Sequence, residues 1–272
     1  MKATRARYFL YLPLIAAAVF YLIPMYIMVV TGFKAFEEIS LQTMWDLPRT
    51  LGLDNFREAF KVLSPSLLNS FLMVLPAAII SSILGSLNGY VLAKWKFPGA
   101  DVIFPLILFG MFIPYQAVLI PLVSFMKEIN LYGGIPGLVL THVIYGIPIT
   151  TLTFRNYYAT IPKELLEAAR IDGANIIKIF TRILLPISIP SFVVVLIWQF
   201  TSAWNDFLFA VVLSTPDAWP VTVALNNMAG SQIIAWNVQM AGSLLAAIPT
   251  LLVYIFLGNY FLRGMMAGAL KG

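Results

Sequence analysis

Six apolar stretches, at residues 8–32, 67–93, 102–126, 136–158, 183–213 and 242–262, are each long enough to cross a bilayer, and that constrains the fold more than anything else in the chain. A hydrocarbon core about 30 Å thick needs roughly 20 residues of helix. Within it every backbone amide must be satisfied internally, which leaves helices or closed barrels. Runs of this length select helices. The expected fold is therefore all-α and integral to the membrane, with six transmembrane helices in one domain over residues 1–272. Proline or glycine interrupts several runs (Pro24, Pro76, Gly85, Pro114, Pro148, Pro249), which membrane helices tolerate when neighbours satisfy the freed groups. Composition agrees: 60% of residues are hydrophobic and 11% charged, against about 25% charged in soluble domains.

The lysines and arginines orient the bundle. Eleven lie at the N-terminus (Lys2, Arg5, Arg7), after the second run (Lys94, Lys96), in the 159–182 loop (Lys163, Arg170, Lys178, Arg182) and in the tail (Arg263, Lys271). Five lie on the other side: Lys34, Arg49, Arg57, Lys61 and Lys127. Both termini and the 159–182 loop are thus expected in the cytosol. The N-terminal run from Tyr8 to Val30 exceeds the apolar core of a signal peptide and reads as an uncleaved anchor, with Ala16-Ala17-Ala18 as an alternative cleavage site.

Several chemistries are excluded. The chain has no cysteine and one histidine, His142, so it offers no thiolate or clustered-histidine metal site. No Gly-x-x-x-x-Gly-Lys phosphate loop occurs. The net charge of +5 is spread over short loops, not gathered in one patch, so nucleic acid is not an expected partner. Within the runs, the ionisable candidates are His142 and Asp206. Asp206, with Trp204 and Asn205, either faces a pathway or supports a neighbouring helix. His142 reads as a packed or cavity-lining residue.

The extracytoplasmic segments 33–66 and 214–241 are long enough to be surfaces in their own right. The first contains an amphipathic stretch, Leu53 to Leu63, closed by Ser64-Pro65. The second has no lysine or arginine and carries Trp219, Pro220, Asn226, Asn227 and Trp236. Each either lies in the membrane interface or docks a partner.

The 159–182 loop is polar and helical between two apolar runs. Pro162 suits a first helical position, and Glu164 and Glu167 favour the positive end of the helix dipole. Gly173 can end the helix in a left-handed conformation, and Asn175 can cap a second helix running toward Pro186. The result is an elbow beside the membrane. Ala168 and Ala169 leave one face nearly smooth, and Glu167 offers a carboxylate for an arginine clamp. An ordinary amphipathic connector would share these features.

The spacing is more specific. Glu167-Ala168-Ala169, Gly173, Ile183 and Leu185-Pro186 resemble the EAA loop of permease subunits in binding-protein-dependent ABC importers. Asn88-Gly89-Tyr90, Phe97-Pro98-Gly99, Trp204-Asn205-Asp206 and the tail Arg263-Gly264, Ala267-Gly268-Ala269, Lys271-Gly272 resemble the carbohydrate-uptake, MalG-type branch. The resemblance implies a type I ABC importer permease fold in a bacterial or archaeal cytoplasmic membrane. It implies a second permease, two ATPase subunits and an extracytoplasmic solute-binding protein as partners, and a sugar as substrate. ATP and Mg would be bound by the ATPase, with no cofactor and no catalysis in this chain. Glu167, Ala168, Ala169, Arg170, Asp172, Gly173 and Pro186 would couple to the ATPase, and Gly268, Lys271 and Gly272 would touch it from the tail. Glycerol phosphate or another polar solute is an alternative cargo. An ion-coupled secondary transporter and a membrane assembly factor are alternative classes.

Overall fold

The computed structural model describes residues 2–230 and 235–269. These are helical almost throughout, with one isolated parallel bridge between Gly133 and Ser214 among the described residues. Helix α1 covers Lys2–Phe33 and α2 covers Asp54–Lys94, while α3 (Ala100–Phe109) and α4 (Tyr115–Glu128) form a bent pair. Helix α5 covers Ile135–Ala159. The elbow follows as α6 (Lys163–Ile171), α7 (Ile176–Ile179), a π-helical turn (Phe180–Leu184) and α8 (Leu185–Ile187). Helices α9 (Ile189–Trp204), α10 (Leu208–Leu213), α11 (Val221–Ala229) and α12 (Trp236–Ala269) complete the chain.

Four helices are individually long and apolar enough to cross a membrane, and the count reaches six if each of two bent pairs is one span. Where single straight runs are expected, the chain breaks in three places. The 102–126 run turns by 98° between Phe112 and Tyr115. Ile113 precedes Pro114 and is forced extended, with ψ 119°, because the proline ring excludes the helical region there. The 183–213 run turns by 77° at Ser188, so its apolar helix begins at Ile189. Pro186 and Pro190 flank that turn and lack the amide hydrogens that would carry the helix through. The same run breaks again at Asn205–Phe207 before α10.

Two other helices overrun their expected ends. Ser64-Pro65 does not close a separate amphipathic stretch, because α2 runs unbroken from Asp54 through it for 41 residues. An interior proline removes one backbone bond, and here the rest of the helix carries the turn. Helix α12 starts at Trp236, before the expected 242, and continues to Ala269 through a tail rich in the helix formers Leu, Met and Ala.

The chain divides into two compact units. In the first (Met1–Pro65 with Ala224–Ile248), Asn55 joins three segments: its Nδ2 donates to the carbonyls of Gly32 and Lys34, and its Oδ1 accepts from Asn237. Lys34 is buried, its Nζ donating to the Thr43 carbonyl at 2.6 Å. In the second unit (Ser66–Val223 with Pro249–Gly272), α2 and α5 approach closely through glycines. A Cβ on Gly85 would stand 2.1 Å from Thr150 Oγ1, and one on Gly89 would stand 2.7 Å from the Arg155 amide. These two glycines, four apart, give the small-xxx-small face that lets membrane helices touch backbone to backbone.

Gly85→Ala therefore loses about 2 kcal/mol of stability through overpacking, read as a lower thermal midpoint in detergent. Gly258→Ala, where a Cβ meets nothing within 4 Å, leaves the midpoint unchanged or slightly raised.

Candidate functional site

Helix α6 ends in a closed turn built from its own backbone. The Ala174 amide donates to the Ala169 carbonyl at 2.9 Å and the Gly173 amide to the Arg170 carbonyl at 3.0 Å, the paired bonds of a Schellman motif. Gly173 supplies the left-handed conformation with φ 76°. Asn175 then caps α7, its Oδ1 accepting from the Lys178 amide at 2.9 Å. Pro162 stands at the cap position of α6, one residue earlier than the sequence suggests.

One face of the elbow is sunk into the bundle. Leu166, Ala169, Ile179, Phe180 and Leu184 are buried with Tyr90 of α2, Phe154 and Tyr158 of α5 and Val195 of α9 in a single apolar cluster. Tyr90 stacks on Phe180 with centroids 5.9 Å apart. The Tyr158 hydroxyl lies 2.6 Å from Ser86 Oγ and donates to Ser188 Oγ at 3.2 Å, tying α2, α5 and the Ser188 turn together. The Tyr157 hydroxyl donates to the Ile187 carbonyl, and Lys94 Nζ donates to the Ile161 carbonyl at 2.5 Å.

The other face is open. Glu167, Ala168, Asp172, Gly173 and Pro186 are exposed. Ala169 is not: it is 8% exposed and packs inward, so the expected pair of alanines does not share one face. Consecutive helical residues are about 100° apart, which turns one alanine out and the next one in. Arg170 leans back, its guanidinium 5.6 Å from the centre of the Trp95 ring. Sequence reasoning missed Ile171 and Ile177, which are 87% and 71% exposed beside Glu167 and Ala168. Apolar side chains in a polar loop were the available signal. Gly268 falls within the last turns of α12, whereas Lys271 and Gly272 lie outside the described residues.

The remaining candidates gather at the Asn205–Phe207 break. Asp206 Oδ2 accepts from the Ala210 amide at 3.0 Å and Oδ1 from the Phe209 amide at 3.4 Å, so the carboxylate caps α10. Thr222 Oγ1 donates to the Asp206 carbonyl at 2.7 Å. His142 Nε2 approaches Asp206 Oδ2 at 3.5 Å without hydrogen-bond geometry, at the outer limit of an ion pair. Of the two readings left open for Asp206, supporting a neighbouring helix is the one with bonds behind it. Trp204 does not line a pathway: it is 2% exposed, stacked on Phe200 and edge-on to Phe71. Asn205 is exposed and donates to the Thr201 carbonyl.

Beside this cluster an open groove runs between the bent α3–α4 pair, α5 and α9, lined by Tyr115, Tyr145, Trp198, Gln199 and Ser202. Gln199 is fixed, its Nε2 donating to Ser81 Oγ at 2.8 Å. Trp198, Gln199 and Ser202 recur at helical spacing along α9, a polar stripe less conspicuous in the sequence than the charge at Asp206. Three or more potential metal-ligating side chains do not meet anywhere among the described residues.

Residues 85–266 match the family described as binding-protein-dependent transport system inner membrane component. A probable ABC transporter permease protein of Pyrococcus horikoshii is 48% identical over all of this chain and 99% of its own length. The xylose/arabinose import permease of Haloferax volcanii is 38% identical, covering 92% of this chain and 89% of the relative. The glucose import system permease of Saccharolobus solfataricus is 33% identical, covering 94% and 92%. A chain in the crystal structure of a bacterial ABC transporter that imports the acidic polysaccharide alginate has a TM-score of 0.79 at 22% identity, covering 94% of this chain and 97% of that one; this likeness is one of fold.

The turn at Gly173 is open: a Cβ there would meet nothing within 4 Å, so the constraint on this residue is conformational. Gly173→Ala costs about 1–2 kcal/mol through the left-handed backbone alone. Faster amide exchange at Gly173 and Ala174, with the rest of the chain unchanged, is the expected readout.

Proposed function

The chain belongs to the family of binding-protein-dependent transport system inner membrane components, and from that premise we propose that it carries sugar through the membrane under the drive of a separate ATPase seated on the α6–α7 elbow. Its fold is that of a type I ABC importer permease. Such an importer includes a partner permease, an ATPase and a binding protein in general terms. The finer assignment to two ATPase copies, an extracytoplasmic binding protein and cytosolic termini rests on the charge distribution and the family resemblance.

The observation that carries the proposal is the two-sidedness of the elbow. Its inner face, Leu166, Ala169, Ile179, Phe180 and Leu184, is part of the core of α2, α5 and α9. Its outer face presents a carboxylate, Glu167, next to a small residue, Ala168, and two exposed isoleucines. A basic residue of the ATPase would pair with Glu167, while Ala168 allows close seating and Ile171 and Ile177 bury apolar area against it. Interiors pack densely and transmit strain, so a displaced elbow moves the helices it is rooted in. ATP closure would then bias a two-state rearrangement by binding its two states unequally. Hydrolysis belongs to the ATPase, since this chain lacks a phosphate loop.

Sugar as the cargo class is supported by the xylose/arabinose and glucose import permeases among the relatives. The groove offers suitable chemistry: aromatic faces from Tyr115, Tyr145 and Trp198, and amide and hydroxyl groups from Gln199 and Ser202.

Glu167→Lys is expected to abolish ATP-driven uptake while membrane insertion and thermal stability stay normal, because Glu167 is exposed on the outer face of the elbow. Uptake of radiolabelled sugar by the reconstituted complex checks this, and normal uptake would overturn the coupling role. Calorimetric screening of the cognate binding protein against pentoses, hexoses and glycerol phosphate tests the cargo class separately.

A further inference from the structure

Arg155 lies inside the 136–158 apolar run, and it carries a charge that no carboxylate among the described residues answers. It sits in α5 four residues before the end at Ala159, about 6 Å along the axis from where the elbow begins. A cation at that position in an apolar helix is costly unless an anion or water meets it. Its Nε is shut away from solvent without a hydrogen-bond partner. Among the described residues the ion pairs are Arg57–Asp54 and His142–Asp206, so no described carboxylate lies within 4.0 Å of Arg155. Lys94 and Arg170 at the same end are engaged, by the Ile161 carbonyl and the Trp95 ring.

The side chain is nonetheless held. Its backbone is pressed against Gly89, and its guanidinium carbon stands 4.0 Å from the centre of the Phe104 ring. An arginine with one face on an aromatic ring keeps its N–H donors in plane at the free edge, the geometry that meets phosphate oxygens two at a time. The neighbouring surface is apolar. Helix α3 has no buried residue, and Val102, Leu106 and Phe109 are 61%, 63% and 63% exposed. A ligand that meets both requirements joins a phosphate to hydrocarbon chains.

We propose that Arg155, stacked on Phe104, binds the phosphodiester of an anionic phospholipid whose acyl chains lie along α3. Basic sites between membrane helices near the interface are suited to such headgroups. The site stands apart from the Glu167 face of the elbow and does not depend on the cargo.

Native mass spectrometry of the full-length chain released from detergent, with phosphatidylglycerol, phosphatidylcholine or inorganic phosphate added, reads the site directly. The wild type should retain phosphatidylglycerol in preference to the other two. Arg155→Gln should weaken that retention about tenfold, the loss of one charge-assisted contact, and Arg155→Lys should weaken it less, keeping charge without the planar fork. Undiminished retention by Arg155→Gln overturns the proposal, and so does equal binding of inorganic phosphate by the wild type, which would mark a free-anion site. If Arg155→Gln does not fold, Phe104→Leu keeps apolar volume while removing the stacking ring. It should lower phosphatidylglycerol retention severalfold, and no change would again overturn the site.

Discussion

Everything this permease does depends on one buried contact: the packing of Phe180, Leu184, Ala169 and Leu166 against Tyr90, Phe154 and Tyr158. Without it the elbow would be a tethered peptide, free to bind an ATPase but unable to pull on anything. With it, the elbow is part of the core of three apolar helices. The hydroxyl of Tyr158, shared between Ser86 and Ser188, adds direction to that packing, because it joins α2 and α5 at the point where the chain turns into α9. A buried hydroxyl must find partners, and here the partners are the elements whose alignment matters.

The elbow was legible in the sequence because its determinants are local. Gly173 and Asn175 act on backbone groups within a few residues of themselves, so the turn and the cap could be read from residue type alone. The direction of Ala169 could not, since whether an alanine faces its own bundle or a partner depends on where the core lies. The breaks in the apolar runs were illegible for a related reason. Pro65, Pro13, Pro24 and Pro249 sit within continuous helices, whereas Pro114 and Pro186 flank sharp bends. Proline removes a donor in every case, and only tertiary surroundings decide whether the helix carries on.

Asp206 shows how a functional expectation changes when bonds are visible. An acidic residue in an apolar run invites a reading as a solute or ion contact. Its two oxygens instead accept from the amides of Phe209 and Ala210, restarting the helix after a break that the run itself does not announce. The groove beside it is lined by Tyr145, Gln199 and Ser202, uncharged groups suited to an uncharged polar solute. Sequence alone favoured the conspicuous charge over the unremarkable amide.

The Schellman closure at Gly173 uses no side chain and no neighbouring helix. The angle between the two arms of the elbow is thus set by the chain itself before any partner arrives. A connector that has already lost its conformational entropy gives up little more of it on docking, and it keeps its shape when released. An attachment that must form and break repeatedly can then rest on a small contact area, because little of the contact energy is consumed in ordering the part that binds.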